Sequence, residues 1–141
     1  MNFSPDDRNW LDQLADVLIP ASDGELSASQ ADVGGRGLDL VLTARPDLAN
    51  GLADLIAKTK GKDAAATIDD IRQNDAAAFG VLAEFAAAAY FMNPEVQVSV
   101  GYPGQTPQPI DPHPDYLDDG LLDAVIRRGP IYRPTPGRAA S

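Results

Sequence analysis

Residues 75–92, DAAAFGVLAEFAAAAYFM, decide the fold of this chain. Alanine is the commonest residue in the stretch, and it has the highest helix propensity and a side chain small enough to let neighbouring helices approach closely. The stretch is marginal in length for a membrane span and is interrupted by Glu84, which favours a buried central helix instead. Its most apolar face is predicted to consist of Phe79, Leu82, Phe85, Ala86, Ala89 and Met92.

The segment before position 20 predicts a first helix. Residues 4–7, SPDD, place Ser4 as the cap and Pro5 in the first turn, and Asp7 is positioned to reach back to the cap. Pro20 ends this helix. Its apolar stripe is predicted to contain Trp10, Leu14, Val17 and Leu18, with Leu11 at the edge.

Three shorter helices are expected between the first helix and the central one. The first follows residues 34–37, GGRG, and the second starts after Pro46 and stops near Gly61. The third is predicted to start at Thr67, and Asn74 or Asp75 then begins the central helix. The apolar residues of the three are Leu38, Val41 and Leu42, then Leu48, Leu52, Leu55 and Ile56, then Ile68 and Ile71.

The C-terminal part has a different composition. Eight of the 12 prolines follow residue 100, and such segments are extended and wrap surfaces at low entropic cost. One short helix is expected at about 115–128. The sequence therefore predicts an all-α fold. A helical body of short helices, residues 1–102, continues into a Pro-rich extended arm, residues 103–141, within one domain.

The composition excludes several classes of function. A net charge of −10 argues against binding to nucleic acid or to an anionic membrane surface, since both repel an acidic protein. Cysteine is absent, which removes disulfides, thiolate zinc sites, cysteine-ligated iron–sulfur clusters and covalent c-type haem. With a single histidine, bis-histidine haem ligation within one copy is impossible as well.

Two local motifs resemble reactive sites and are assigned structural roles. The GGRG segment at 34–37 has no preceding strand, no third glycine at the dinucleotide-binding spacing and no Walker lysine, so it predicts a flexible loop before a helix. The segment 111–115, DPHPD, places two carboxylates around His113, but the prolines hold it extended and point its side chains apart. We therefore predict no catalytic, cofactor-binding or metal-binding residue in this chain.

Residues 90–105, YFMNPEVQVSVGYPGQ, join the central helix to the arm through two breaks, at Asn93-Pro94 and at residues 101–104. The aromatic side chains here either complete the core at the end of the helix or anchor a partner protein. The positions predicted as a partner interface or its scaffold are Tyr90, Phe91, Pro94, Tyr102, Pro103 and Gly104.

Two segments resemble the gluconate 2-dehydrogenase subunit 3 family. They are residues 14–20, LADVLIP, with Asp23 shortly after, and the run from Tyr90-Phe91 through Asn93-Pro94-Glu95-Val96 to residues 101–104, GYPG. The resemblance covers about residues 8–110. It implies a non-catalytic small subunit that stabilises, matures or chaperones a larger flavoprotein.

That large subunit would be an FAD-dependent sugar or polyol dehydrogenase of the glucose-methanol-choline oxidoreductase type. The resemblance implies FAD in the partner and no cofactor in this chain, with a cytochrome or another electron acceptor reached through the complex. Many family members begin with a twin-arginine export signal, which residues 1–20 lack. We therefore expect a cytoplasmic complex, or a periplasmic one if the partner carries the signal or the sequence is truncated.

Two other classes of function remain open at this point. One is a stand-alone small-molecule binding module with a pocket between Trp10, Phe79, Phe85 and Tyr90. The other is an enzyme centred on His113 and the neighbouring carboxylates. Recovery of a partner protein distinguishes the accessory subunit from both.

Overall fold

The computed structural model describes residues 2–105, 107 and 118–131. The chain divides into two compact units, Met1–Gln105 and Thr106–Ser141, and each is described by itself. The described residues form helices and no strand, which confirms the predicted all-α class. The helical segments of the first unit are α1 (Pro5–Leu18), a π-helical turn (Val33–Gly37), α2 (Leu38–Ala44), α3 (Leu48–Thr59), α4 (Ala64–Asn74), α5 (Ala76–Phe91) and α6 (Pro94–Ser99).

Helix α5 lies at the centre of the first unit and packs against every other helical segment there. Asp75 caps it by accepting a hydrogen bond from the Ala78 N–H, so the predicted central helix and its start are confirmed. Both Phe79 and Met92 were predicted on the most apolar face of this helix, but Phe79 is only half-buried and Met92 is 39% exposed. A helix that is apolar on nearly every side has no periodicity that identifies its buried face. The buried residues of α5 are Leu82, Phe85, Ala86, Ala89 and Tyr90.

Helix α1 begins as the sequence predicts. The Ser4 hydroxyl accepts from the Asp7 N–H at 3.2 Å and the Asp7 carboxylate accepts from the Ser4 N–H at 3.0 Å, which forms a capping box. The buried residues of α1 are Trp10, Leu11, Leu14 and Ala15. Trp10 and Leu14 were predicted, whereas Leu11, placed at the edge of the predicted stripe, is fully buried and Val17 is 39% exposed.

The predicted start of α4 at Thr67 is wrong. The cap is Asp63, whose carboxylate accepts from the Ala66 N–H at 2.8 Å. Thr67 lies one turn inside the helix, where its hydroxyl donates to the Asp63 carbonyl at 2.6 Å. A threonine can satisfy its hydroxyl in this way without being a cap, so its presence alone does not mark a helix start.

Helix α6 was not predicted, because Asn93-Pro94 was interpreted only as a break. The Asn93 side-chain oxygen accepts from the backbone N–H groups of Glu95 at 2.8 Å and Val96 at 3.4 Å, and Pro94 occupies the first turn. An asparagine followed by proline ends one helix and is also the pattern that starts the next. Val96 is the residue that α6 buries.

The π-helical turn is a packed element and not the flexible loop that the sequence predicted. The Asp12 carboxylate accepts from the Gly34 N–H at 2.7 Å. The Arg8 guanidinium donates to the carbonyls of Gly34 at 3.1 Å and Gly35 at 2.9 Å, and it pairs with Asp39 at 2.6 Å. Two side chains of α1 therefore fix the path of the chain into α2.

The described residues of the second unit include the short helix α7 (Asp123–Arg128). It lies within the helix predicted at about 115–128, and it contains no buried residue. Leu121, Val125 and Ile126 are exposed. Most of the predicted extended arm, at 108–117 and 132–141, lies outside the described residues, and the single-domain organisation stays a prediction.

A pair of glycine substitutions tests the packing of the π-helical turn. A methyl group at Gly34 would lie 2.5 Å from the Arg8 carbonyl oxygen, whereas a methyl group at Gly80, on the exposed side of α5, meets no atom within 4 Å. We expect Gly34→Ala to lower the free energy of unfolding by about 1–3 kcal/mol. Gly80→Ala should raise it by about 0.5–1 kcal/mol, because alanine favours helix. Urea unfolding measures both, and equal stability of the two variants would contradict the packing described.

Candidate interaction surface

The six residues predicted as a partner interface lie at the end of α5, in α6 and in the loop that follows. Phe91, Pro94, Tyr102 and Pro103 are exposed. Gly104 is half-buried and has a φ of +76°, a conformation that glycine adopts without strain. The sixth residue, Tyr90, has a different environment.

Tyr90 belongs to the core, with 7% of its surface exposed. Its hydroxyl donates to the Leu26 carbonyl at 2.8 Å, and burial together with the Glu25 carboxylate raises the pKa of that hydroxyl. The Phe91 ring meets the Tyr90 ring edge-on, with centroids 5.5 Å apart and an interplanar angle of 80°. Tyr90 is therefore a core residue at the end of the central helix, one of the two alternatives that the sequence left open.

Exposed apolar side chains concentrate in residues 91–102. Five of the seven large hydrophobic residues described as exposed in the first unit fall there, and Val98 reaches 78% exposure. Exposed apolar side chains that form a patch are typical of association sites, whereas single exposed apolar residues are ordinary. We call this set the apolar surface: Phe91, Met92, Val98, Val100 and Tyr102.

Hydrogen bonds hold the apolar surface in place. The Gln97 side chain donates to the Phe91 carbonyl at 2.9 Å, and the Gln97 carbonyl accepts from the Tyr102 N–H at 2.8 Å, so one residue links both aromatic positions. The Ser99 hydroxyl donates to the Glu25 carboxylate at 2.6 Å. These bonds fix the backbone at both ends of α6, which reduces the entropic cost of presenting the surface to a partner.

A depression of about 320 Å³ lies beside the apolar surface, between the π-helical turn, α2, the end of α5 and α6. The sequence did not predict it, because its two walls are about sixty residues apart in the chain and neither carries a recognisable motif. It is lined by Ala31, Asp32, Arg36, Gly37, Leu40, Ala89, Met92, Asn93, Pro94 and Glu95.

The four aromatic residues predicted to surround a small-molecule pocket belong to the core of the first unit or pack against it. Trp10, Phe85 and Tyr90 are buried core residues, and Phe79 packs against that core. The Trp10 indole N–H donates to the Thr59 hydroxyl at 3.0 Å, which joins α1 to α3. A different depression, of about 460 Å³, lies between the N-terminal residues and α3 and is lined by Asn2, Phe3, Asp7, Ala53, Ile56, Ala57 and Lys60.

The candidate reactive segment around His113 lies outside the described residues. In residues 2–105 and 118–131 no three His, Cys, Asp or Glu side chains are grouped so as to hold a metal ion. In the same part of the chain no helix is long and apolar enough to cross a membrane.

Two carboxylates of α1 have pKa values shifted in opposite directions. Hydrogen bonds from Lys60 and Ser4 lower the pKa of Asp7 to about 2. Burial raises the pKa of Asp12; the Gly34 N–H opposes that rise, and the nearby Asp16 and Asp32 carboxylates add to it. Both carboxylates accept hydrogen bonds from the chain's own backbone or side chains.

Comparison with known proteins adds no assignment: no family model, no curated protein and no solved structure matches this chain. The resemblance of residues 14–20 and 90–104 to the gluconate 2-dehydrogenase subunit 3 family stays a prediction.

Removing a single hydroxyl distinguishes the buried tyrosine from the exposed one. Tyr90→Phe leaves the half-buried Leu26 carbonyl without its partner, and we expect it to lower the free energy of unfolding by about 1 kcal/mol. Tyr102→Phe, at a residue that is 53% exposed, should change it by less than about 0.5 kcal/mol. Chemical unfolding of both variants measures the difference, and the reverse order would contradict the placement of Tyr90 in the core.

The pH dependence of stability should reveal the Asp12 environment. Because its pKa is raised in the folded protein, the folded state binds the proton more tightly, and this contribution to stability falls as the pH rises above the ordinary value of 3.8. Asp12→Asn keeps an oxygen to accept from Gly34 but carries no charge. We expect it to melt at a higher temperature than the unmodified protein at pH 7, with the difference shrinking as the pH falls through the raised pKa of Asp12 and disappearing below the ordinary value of 3.8.

Asp7→Asn is the matched comparison, for which we expect the opposite change in melting temperature. Because the pKa of Asp7 is lowered in the folded protein, the ionised carboxylate stabilises the folded state at pH values above 3.8. That stability is lost as the pH falls to about 2. This variant should therefore melt at a lower temperature at pH 7. Thermal melts from pH 2 to 8 measure both effects, and a destabilised Asp12→Asn at pH 7 would refute the role assigned to burial.

Proposed function

We propose that this chain is a non-catalytic small subunit that stabilises, matures or chaperones a larger FAD-dependent sugar or polyol dehydrogenase. The observation that carries the proposal is the apolar surface, a set of exposed hydrophobic side chains on a hydrogen-bonded backbone. Burying those side chains under a partner removes apolar area from water, which is the main favourable term in most protein associations.

The partner would be a flavoprotein of the glucose-methanol-choline oxidoreductase type, and the resemblance supports this choice. Both segments that carry it lie in the first unit: residues 14–20 span the end of α1, and residues 90–104 contain α6 and the apolar surface. In this arrangement the partner binds FAD and takes hydride from the sugar carbon. This chain supplies surface and no reacting group.

The complex would be a heterodimer at its simplest, with an interface of about 2,000 Å² or more in total, as obligate complexes have. A cytochrome or another electron acceptor would be reached through the flavoprotein. We place the complex in the cytoplasm, or in the periplasm if the flavoprotein carries an export signal.

A stand-alone small-molecule binding module is the second candidate, now at a different place from the predicted pocket. The depression of about 460 Å³ beside α3 favours it, because Phe3, Ala53, Ile56 and Ala57 give it an apolar lining. A ligand that raises the melting temperature of the isolated chain, with the effect lost in Ala53→Trp, would support this function over the first.

Co-expression tests the proposed accessory role. The dehydrogenase is identified by tagging this chain in its native host and is recognised by its flavin absorption and by mass spectrometry. It is then produced with and without this chain. We expect the chain to raise soluble yield, flavin content and dehydrogenase activity several-fold, because an uncovered obligate interface exposes apolar surface that aggregates.

Variants of the apolar surface make the test specific. Phe91→Ser combined with Tyr102→Ser should abolish the increase, whereas Val17→Ser, an exposed apolar position on α1 outside the surface, should retain it. Circular dichroism of each isolated chain checks that it is folded. Equal yield, flavin content and activity with and without the chain would refute the proposal.

A further inference from the structure

We propose that Asp23 is a modification site, which isomerises without an enzyme to isoaspartate, and that this modification frees α6 from the loop that holds it. The inference goes beyond the proposed function and does not depend on it. Asp23 precedes Gly24, and both residues are exposed. Aspartate followed by glycine is the aspartyl sequence in which the side-chain carboxyl reacts most readily with the next backbone nitrogen, because glycine has no Cβ to hinder the approach.

The reaction uses only the chain and water. The Gly24 nitrogen attacks the side-chain carboxyl carbon of Asp23 and loses its proton, and one carboxyl oxygen leaves as water, which closes a five-membered succinimide ring. Water then adds to one of the two ring carbonyls. Opening at the side-chain carbonyl restores aspartate. Opening at the main-chain carbonyl breaks the original peptide bond and leaves the chain linked through the side-chain carbon, with a free α-carboxylate. One water is released and one is consumed, so the mass does not change.

The turn around Asp23 leaves both reacting groups accessible. Asp23 and Gly24 have φ values of +43° and +91° and lie between Ser22 and Glu25, which pair as an antiparallel bridge. Among the described residues the Gly24 N–H has no backbone acceptor, and the Asp23 carboxylate has no ion pair. A methyl group at Gly24 would meet no atom within 4 Å, so the surroundings leave room for the ring.

A second reactive pair in the first unit, Asn50-Gly51, is held inside α3. Asparagine followed by glycine is the more reactive sequence in an unfolded chain, because an amide loses ammonia more readily at neutral pH than a carboxylate loses water. Gly51 is the fourth residue of α3, so its N–H is bonded within the helix. A methyl group at Gly51 would lie 3.0 Å from the Val81 Cγ2, so this backbone is packed against α5 and cannot rotate as ring closure requires. The fold therefore reverses the order of reactivity of the two pairs.

Isomerisation changes the length of the main chain in the turn. The path through isoaspartate contains one additional carbon atom. A two-residue turn with positive φ at both positions matches the spacing of its flanking residues, and a longer main chain does not preserve that match. The flanking pair consists of the Glu25 N–H donating to the Ser22 carbonyl at 2.7 Å and the Ser22 N–H donating to the Glu25 carbonyl at 3.3 Å. Loss of these two bonds releases Glu25.

Glu25 connects the turn to α6. Its carboxylate accepts from the Ser99 hydroxyl at 2.6 Å, and Ser99 is the last residue of α6. The helix has six residues, of which Val96 is buried. A helix this short is not stable alone and depends on its tertiary contacts. Displacement of Glu25 therefore loosens α6 and, with it, Val98 and Val100 of the apolar surface.

Peptide mapping tests whether the site reacts. The purified chain is incubated for several weeks at neutral pH, and electron-transfer fragmentation assigns isoaspartate position by position. We expect isoaspartate at position 23 to form at least about threefold faster than at position 50, because Asn50 reacts only when α3 opens. In guanidinium chloride the order should reverse. Faster reaction at position 50 in the folded chain, or no isoaspartate at position 23, would overturn the proposal.

A pair of variants shows that the product comes from Asp23. Asp23→Glu keeps the charge but would have to close a six-membered ring, so we expect no isomerisation at position 23. Asp119→Glu removes the third aspartate–glycine or asparagine–glycine pair of the chain and should leave the reaction at position 23 unchanged. Circular dichroism checks that both variants are folded.

Hydrogen exchange tests the effect on α6. The isomerised chain is separated from the unmodified chain by chromatography, and the exchange of their backbone amides is compared. We expect the amides of α6 to exchange at least about threefold faster after isomerisation, with those of α3 unchanged. Asp23→Glu, incubated in parallel, should keep the protection of α6. If position 23 isomerises while α6 keeps its protection, the release of α6 is wrong. Neither measurement uses the flavoprotein, so failure here is distinct from failure of the proposed function.

Discussion

The first unit depends on how closely its other helical segments can approach α5. Glycine at position 37 and alanine at position 89 let the π-helical turn approach the central helix so closely that a methyl group at position 37 would lie 2.9 Å from the Ala89 Cβ. Dispersion contacts fall off steeply with distance, so backbones that meet at this range gain packing that larger side chains would prevent. The alanines of α5 make it apolar on nearly every side, which lets it serve as the common neighbour of all the surrounding segments.

Close packing leaves the turn before α2 with backbone groups that cannot bond within a regular helix. Arg8 and Asp12 of α1 bind two of its carbonyls and one N–H. An arginine suits this task because its planar fork presents several donors in fixed directions. The side chains on α1 therefore determine where α2 begins, and with it the position of Leu40 and one wall of the depression. The contacts that pack α1 against the turn therefore also position one wall of the depression.

The sequence predicted the structure correctly where the pattern involves only residues that are close together in the chain. The capping box at Ser4, the helix after Pro46 and the start of α5 at Asp75 each depend on residues within one helical turn, and all three are confirmed. The start of α4 was predicted wrongly because a threonine such as Thr67 fits either a cap or the helix interior. Helix α6 was missed because Asn93-Pro94 fits either the end of one helix or the start of the next. Tyr90 and Phe91 are adjacent in sequence and equally aromatic. Only the fold shows that one is buried and the other is exposed.

The depression could not be predicted from sequence for a related reason. Its walls come from residues 31–40 and 89–95, and tertiary contact alone brings them together. In the described residues every buried side-chain nitrogen or oxygen has a hydrogen-bond partner, so polar groups inside the first unit are committed to the fold. What the unit offers outward in residues 91–102 is apolar area on a fixed backbone, next to a cavity bordered by an arginine. Exposed apolar area of this kind favours association, because its burial removes hydrophobic side chains from water.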